Sequence, residues 1–173
     1  MSDINVFFRK KPFESFYKND TDVISQHNNT LYIKNNKSRL LNKKYYSSYN
    51  NVNVLEDTNR NIYASTIYNP LVNQQNVLFV AYGQTGSGKT HTLTGTNNEI
   101  GIIQYAMADL LKNNCSCECQ VIEIYNENIY DLSISKKINL DIFEYNNKFK
   151  FKTNPKITTV SNMTTFTQYM STI

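Results

Sequence analysis

The sequence predicts an α/β domain in which a glycine-rich turn joins a strand to a helix, and three observations predict it. All five glycines of the 173-residue chain, Gly83, Gly86, Gly88, Gly95 and Gly101, fall in one short window, and glycine tolerates positive φ and close backbone approach. The window is entered from the apolar run Val77-Leu78-Phe79-Val80-Ala81-Tyr82, which has the length and composition of a buried strand. Beyond it, the pairs Ile102/Ile103, Ala106/Met107 and Leu110/Leu111 recur at helical spacing, with Asp109 and Lys112 on other faces.

Composition sets the outer bounds. The length fits one domain or part of one. Charged residues make up 18% of the chain against a usual share of about 25%, and Asn fills the difference. The balance of 18 Lys+Arg to 14 Asp+Glu leaves a net charge of +4, too small and too dispersed to indicate nucleic acid as a partner. The N-terminus, MSDINVFFRKKPF, carries its charges after a short apolar run. No apolar stretch approaches the roughly 18 residues of a membrane span, so neither a signal peptide nor a membrane partner is expected. Cys115, Cys117 and Cys119 sit together, unlike a disulfide framework, which fits a reducing, intracellular compartment.

Taken in order, residues 4–8 are rich in Val, Ile and Phe and read as a buried strand. Leu31-Tyr32-Ile33 and Lys43 to Tyr49 read as strand fragments, with a turn at NNKSR between them. From Thr58, the pairs Ile62/Tyr63, Thr66/Ile67 and Pro70/Leu71 predict an amphipathic helix kinked by Pro70. HTLTGTNN after Lys89 can hold a short helix, and the helix through Leu111 ends at Asn113-Asn114, where Asn can take the left-handed cap. From Cys115 to Tyr125 period two places Cys115, Cys117, Cys119 and Val121 on one face. C-x-C-x-C lacks the paired C-x₂-C geometry of zinc sites, so small apolar strand residues are the favoured reading over a metal centre. Glu123 and Glu127 read as structural carboxylates in preference to an acid/base pair. Lys148-Phe149-Lys150-Phe151-Lys152 alternates, which on a strand puts three ammonium groups on one face and two rings on the other, towards a core. A lysine-protected edge strand accounts for that pattern without any partner. No repeat or heptad supports a coiled coil.

The segment GQTGSGKT, residues 83–90, satisfies G-x-x-x-x-G-K-[ST], the phosphate-binding loop of P-loop NTPases. Gly83, Gln84 and Thr85 form its entry. The backbone N–H groups of Gly86, Ser87, Gly88 and Lys89 can converge on phosphate oxygens. Lys89 would reach the β- and γ-phosphates, and the Thr90 hydroxyl would ligate Mg²⁺.

The loop lies inside NVLFVAYGQTGSGKTHTLTG, which closely resembles the nucleotide-binding segment of kinesin motor domains. Three further segments stand in that family's order: INVFFRKKPF resembles its first strand with the R-x-R-P element, GIIQYAMADLL its GIIPRA helix, and VIEIYNENIYDL its LEIYNE-IYDLL segment. The resemblance implies a mixed central sheet flanked by helices, ATP and Mg²⁺ as cofactors, the microtubule (tubulin) as partner, and a place on the cytoplasmic microtubule cytoskeleton. By the same resemblance, Arg9, Lys11 and Pro12 border the adenine, His91 stacks on it, and Lys148, Lys150 and Lys152 face the microtubule. Departures are Lys11 in place of the second Arg, Tyr49-Asn50-Asn51-Val52-Asn53 where the family has FDRVF, and Gln104 where it has Pro.

Nothing in 1–173 resembles the later N-x-x-S-S-R-S-H or D-L-A-G-S-E switch elements. The chain is therefore expected to be the N-terminal half of a motor domain, apparently incomplete, able to bind nucleotide without hydrolysing it quickly, and no catalytic residue is named. In the sheet that the resemblance implies, the missing strands would leave open internal edges, so the chain standing alone is expected to be marginally stable, aggregation-prone, or completed by a second polypeptide. Two alternatives stand beside this one: a non-catalytic kinesin relic that binds microtubules or a partner, and an unrelated small P-loop enzyme such as a nucleotide kinase.

Overall fold

The computed structural model describes residues 4–10, 24–28, 30–35, 45–50, 53–55, 58–112, 115–134 and 139–173. Strands β1 (Phe7–Arg9) and β5 (Asn53–Leu55) pair in parallel. Between them in sequence, β2 (Ile24–His27), β3 (Thr30–Asn35) and β4 (Tyr45–Asn50) form an antiparallel sheet of three strands. Helices α1 (Asn59–Thr66), α2 (Tyr68–Val72), α3 (Lys89–Leu93) and α4 (Ile102–Leu110) follow. The remainder consists of β6 (Cys117–Cys119), paired with β11 (Thr158–Val160), the hairpins β7 (Ile122–Tyr125)/β8 (Asn128–Asp131) and β9 (Ile142–Tyr145)/β10 (Lys148–Phe151), and α5 (Met163–Ser171). Both hairpins turn on two residues with left-handed φ, Asn126-Glu127 and Asn146-Asn147, the conformation that matches the twist of tight hairpins.

Helix α4 is the spine of the packing. Ile102, Tyr105 and Ala106 pack with Ile62, Tyr63 and Ile67 of the α1–α2 region, together with Leu71 and Phe79. Ile103, Met107 and Leu111, about 100° round the same helix, pack with Val160, Phe166 and Tyr169 and with Cys117, Cys119 and Val121. Tyr63 stacks on Tyr105 at 5.7 Å and donates to Asp109 Oδ2 at 2.5 Å. Burial pushes the Asp109 carboxyl up, but Lys112 and the Tyr63 hydroxyl outweigh it and hold the group below its ordinary value. Cys117 and Cys119 thus serve as small apolar strand residues, and burial pushes both thiols up. Among the described residues no group of three or more His, Cys, Asp or Glu could hold a metal ion.

Several sequence expectations change in detail. The strand expected over 4–8 begins at Phe7, and Ile4 and Val6 are exposed. The expected kink at Pro70 is a break at Ile67. Proline crowds the carbonyl four residues earlier, here Thr66, so the ladder fails one turn before the ring itself. The run 77–82 carries no ladder: Phe79 packs against the α1–α4 core, while Leu78, Val80 and Tyr82 (98% exposed) face out. Its composition is that of a strand, but among the described residues no strand lies beside it. Among the described residues the mixed sheet is accordingly present as separate ladders, one parallel and the others antiparallel. Of the NNKSR turn, Asn35 ends β3 and residues 36–39 lie outside the described residues, as do the Asn113-Asn114 cap and Asn51-Val52.

Asp131 anchors the β8 end. It is 2% exposed and accepts from the N–H groups of Ser133 (2.8 Å) and Lys156 (2.6 Å) and from the Ser133 hydroxyl. Burial pushes its carboxyl up, but these donors and the Lys156 charge prevail and hold it below its ordinary value of 3.8. A depressed folded value stabilises the fold above the unfolded one, and the contribution is lost as pH falls from there through the folded value. Asp131→Asn is therefore expected to cost about 2 kcal/mol near neutrality and to weaken the acid-induced loss. Urea melts at neutral and acid pH check this, and an unchanged neutral midpoint would contradict it.

Candidate functional site

The 83–90 loop delivers the chain into α3 through two left-handed glycines, Gly86 (φ 80°) and Gly88 (φ 97°), Gly88 being the helix N-cap. A side chain is strained at such φ, and a Cβ at either position would meet nothing within 4 Å, so the backbone is approachable there. The first amides of a helix have no intrahelical acceptor, which leaves the N–H groups of α3's opening turn available to an anion. Lys89 Nζ donates to the carbonyls of Gly83 (2.7 Å) and Gln84 (2.9 Å), and Ser87 N–H donates to Gln84 O at 3.2 Å. These bonds close the loop on itself and hold the ammonium at its mouth. The Ser87 amide thus donates within the loop, and the amides of Gly86, Gly88 and Lys89 complete the expected set of four. Thr90 is exposed one residue along the helix. An ammonium, bare backbone, a free hydroxyl and open space fit a polyphosphate carrying a hard cation.

Behind the loop lies a polar frame. Arg9 Nη1 donates to Asn59 Oδ1 (2.7 Å) and to Thr92 Oγ1 (2.5 Å), and Thr92 Oγ1 donates to Gly88 O (2.9 Å). Burial lowers the Arg9 value and Glu99 raises it; the guanidinium stays charged. Glu99 Oε1 accepts the Asn59 amide at 2.5 Å, and its Oε2 lies 3.3 Å from His91 Nε2. The turn from α3 to α4 is closed by a bridge between Gly95 and Ile100. Gln104 finishes it: its Oε1 accepts the Gly101 N–H at 3.1 Å and its Nε2 donates to Thr94 O at 2.8 Å. The residue that departs from the family's Pro thus caps α4 from its third position.

The family model for the kinesin motor domain matches residues 9–172. The chain belongs to the kinesin motor-domain family. This kinesin chain is 35% identical over 99 residues to kinesin-like protein KIN-8B of Arabidopsis thaliana, a match covering 51% of this chain and 12% of the relative. It is 40% identical over 95 residues to kinesin-like protein tea2 of Schizosaccharomyces pombe, covering 49% and 15%. Among solved structures it is similar to a KIF14 dimer in its two-heads-bound state, with AMP-PNP and in complex with a microtubule. The TM-score is 0.78 at 23% identity, over 99% of this chain and 53% of that one. The fold is therefore that of a P-loop NTPase of the kinesin-motor type, of which the chain spans about half of the matched structure and a smaller share of the curated relatives.

Within this kinesin fold, Gly83 to Thr90, His91 and Arg9 gather around the α3 N-terminus, whereas Lys11 and Pro12 lie outside the described residues. His91 faces Glu99 through its Nε2. Lys148 and Lys150 lie on β10 and Lys152 just beyond it, and all three are exposed. Lys150 sits 5.0 Å over the Tyr145 ring, and Lys152 pairs with Asp141 at 3.6 Å. The expectation that both rings face a core is corrected. Phe149 is 78% exposed and Phe151 partly buried, because among the described residues no layer lies over the tip of the two-stranded hairpin. Register places Phe143 and Tyr145 on the lysine face. Glu123 lies within β7 while Glu127 occupies the left-handed turn, as structural carboxylates would. Sequence reasoning missed Asn59, Thr92 and Glu99. One signal was available: Asn59 falls on the stripe of Ile62/Tyr63 and Thr66/Ile67, a core-facing position where a polar residue needs buried partners.

Proposed function

We propose that residues 1–173 form the N-terminal half of a microtubule-directed kinesin motor domain that holds ATP with Mg²⁺ on the 83–90 loop. The observation that carries this reading is the loop itself, with Lys89 at its mouth and two left-handed glycines opening onto α3 over open space. Backbone donors around Gly86 and Gly88 and the Lys89 ammonium bind the phosphates, and the Thr90 hydroxyl holds the metal, which when bound neutralises phosphate charge. Arg9, Lys11, Pro12 and His91 border the base. The cytoplasmic microtubule array is the proposed location, and the remaining half of the motor, in this or a second polypeptide, covers the outward row of Leu78, Val80 and Tyr82.

The proposed track-binding face is the β9–β10 hairpin, where Lys148, Lys150 and Lys152 stand exposed beside Tyr145 and Phe143. Co-sedimentation with microtubules tests the whole reading: ATP is expected to change the pelleted fraction. Reversing the three lysines to Glu is expected to weaken pelleting about tenfold and to flatten its salt dependence; unaltered pelleting removes this face. A second reading, a relic that binds microtubules without nucleotide control, draws on the hairpin's distance in sequence from the loop. It predicts pelleting that responds to salt and ignores ATP.

A further inference from the structure

Asn59 is 0% exposed in the first turn of α1, and the nucleotide reading makes no use of it. Its side chain nevertheless bonds Arg9 and the backbone on either side of the turn from α3 to α4. Oδ1 accepts Arg9 Nη1 at 2.7 Å, and Nδ2 donates to the carbonyls of His91 (2.9 Å) and Ile100 (3.1 Å). From Arg9 the line continues through Thr92 Oγ1 (2.5 Å) to the carbonyl of Gly88 (2.9 Å), the last glycine of the phosphate loop. A carboxamide supplies two donors and an acceptor from one rigid plane. Aspartate would set an oxygen against two carbonyls, and an apolar side chain would withdraw a partner from all three groups; in a buried site either change is expensive.

We propose that Asn59 is a positioning residue that holds Arg9 and the His91 backbone in register with Gly88, so that one buried carboxamide aligns the base side of the nucleotide site with its phosphate side. The inference rests on the nucleotide reading above. It separates Asn59 from a merely structural residue, because loosening the fold weakens every ligand alike, whereas misplacing Arg9 and His91 removes the part of the affinity that depends on the base.

The test measures binding of the 173-residue chain to Mg-ATP and, separately, to Mg-tripolyphosphate, which has the phosphates without the nucleoside. The unaltered chain is expected to favour ATP. In Asn59→Asp the ATP affinity is expected to fall about tenfold while tripolyphosphate affinity changes by less than about twofold, and Asn59→Gln is expected to recover part of the preference. Equal weakening of both ligands, or an unchanged ratio, overturns the inference. If the unaltered chain binds neither ligand, the nucleotide reading fails and takes the inference with it; if it binds both equally, the loop stands while the base contacts, and the inference with them, fall. Should circular dichroism show Asn59→Asp unfolded, the near-isosteric Thr92→Val, which cuts the same line at a partly exposed site, decides: a fall of about threefold in the preference for ATP supports the inference, and no change refutes it.

Discussion

Lys89→Ala is expected to lower the affinity for Mg-ATP by about 100-fold or more. The ammonium is the one side-chain cation held at the loop's mouth among the described residues, fixed there by the Gly83 and Gln84 carbonyls. Charge-assisted hydrogen bonds to phosphate are each worth about 1.5–3 kcal/mol, and about 2.7 kcal/mol already corresponds to 100-fold. The fold itself should persist, because Lys89 belongs to neither apolar cluster and the carbonyls it leaves can turn to water. Equilibrium binding of a fluorescent ATP analogue, with circular dichroism to check folding, measures the effect. Undiminished affinity in a folded variant would falsify the loop assignment.

Gly101→Ala is expected to destabilise the chain by about 3 kcal/mol or more. The backbone there (φ −90°, ψ 177°) is open to any residue, so the penalty is steric and not conformational. A Cβ would lie 2.2 Å from the Leu93 carbonyl oxygen and 2.5 Å from the Gly95 nitrogen, and neither is a side chain that can rotate away. Relief requires moving the start of α4 off the end of α3, which would also pull the Ile100 carbonyl from Asn59 and the Gly101 N–H from Gln104. Urea denaturation gives the value; a midpoint within error of the unaltered chain would show that the turn yields more easily than its contacts imply.

What the sequence made legible was local. The phosphate loop is set by contiguous residues, and α4 by a strong helical period, so both were visible in advance. Pro70 interrupts its helix as the sequence predicts, one turn upstream of the ring, because proline acts through a carbonyl four residues earlier. For the run 77–82 composition predicts a buried strand, since it reports strand character but not the neighbours that bury it. The same reason explains Phe149: alternation assigned it a face, and nothing in the alternation says whether that face is covered. Asn59, Thr92 and Glu99 were invisible as a group because their partners lie far apart along the chain. Gln104 stood out as a departure, and its capping role became apparent only with Gly101 and Thr94 beside it.

The double-sided packing of α4 has a consequence for how the chain opens. With one flank of the helix serving α1 and α2 and the other serving α5 and the β6–β11 ladder, neither half can detach without stripping a wall from its neighbour. Deuterium uptake should therefore be slowest at the amides in the middle of α4, and the two flanks should share a single opening free energy instead of exchanging as independent units.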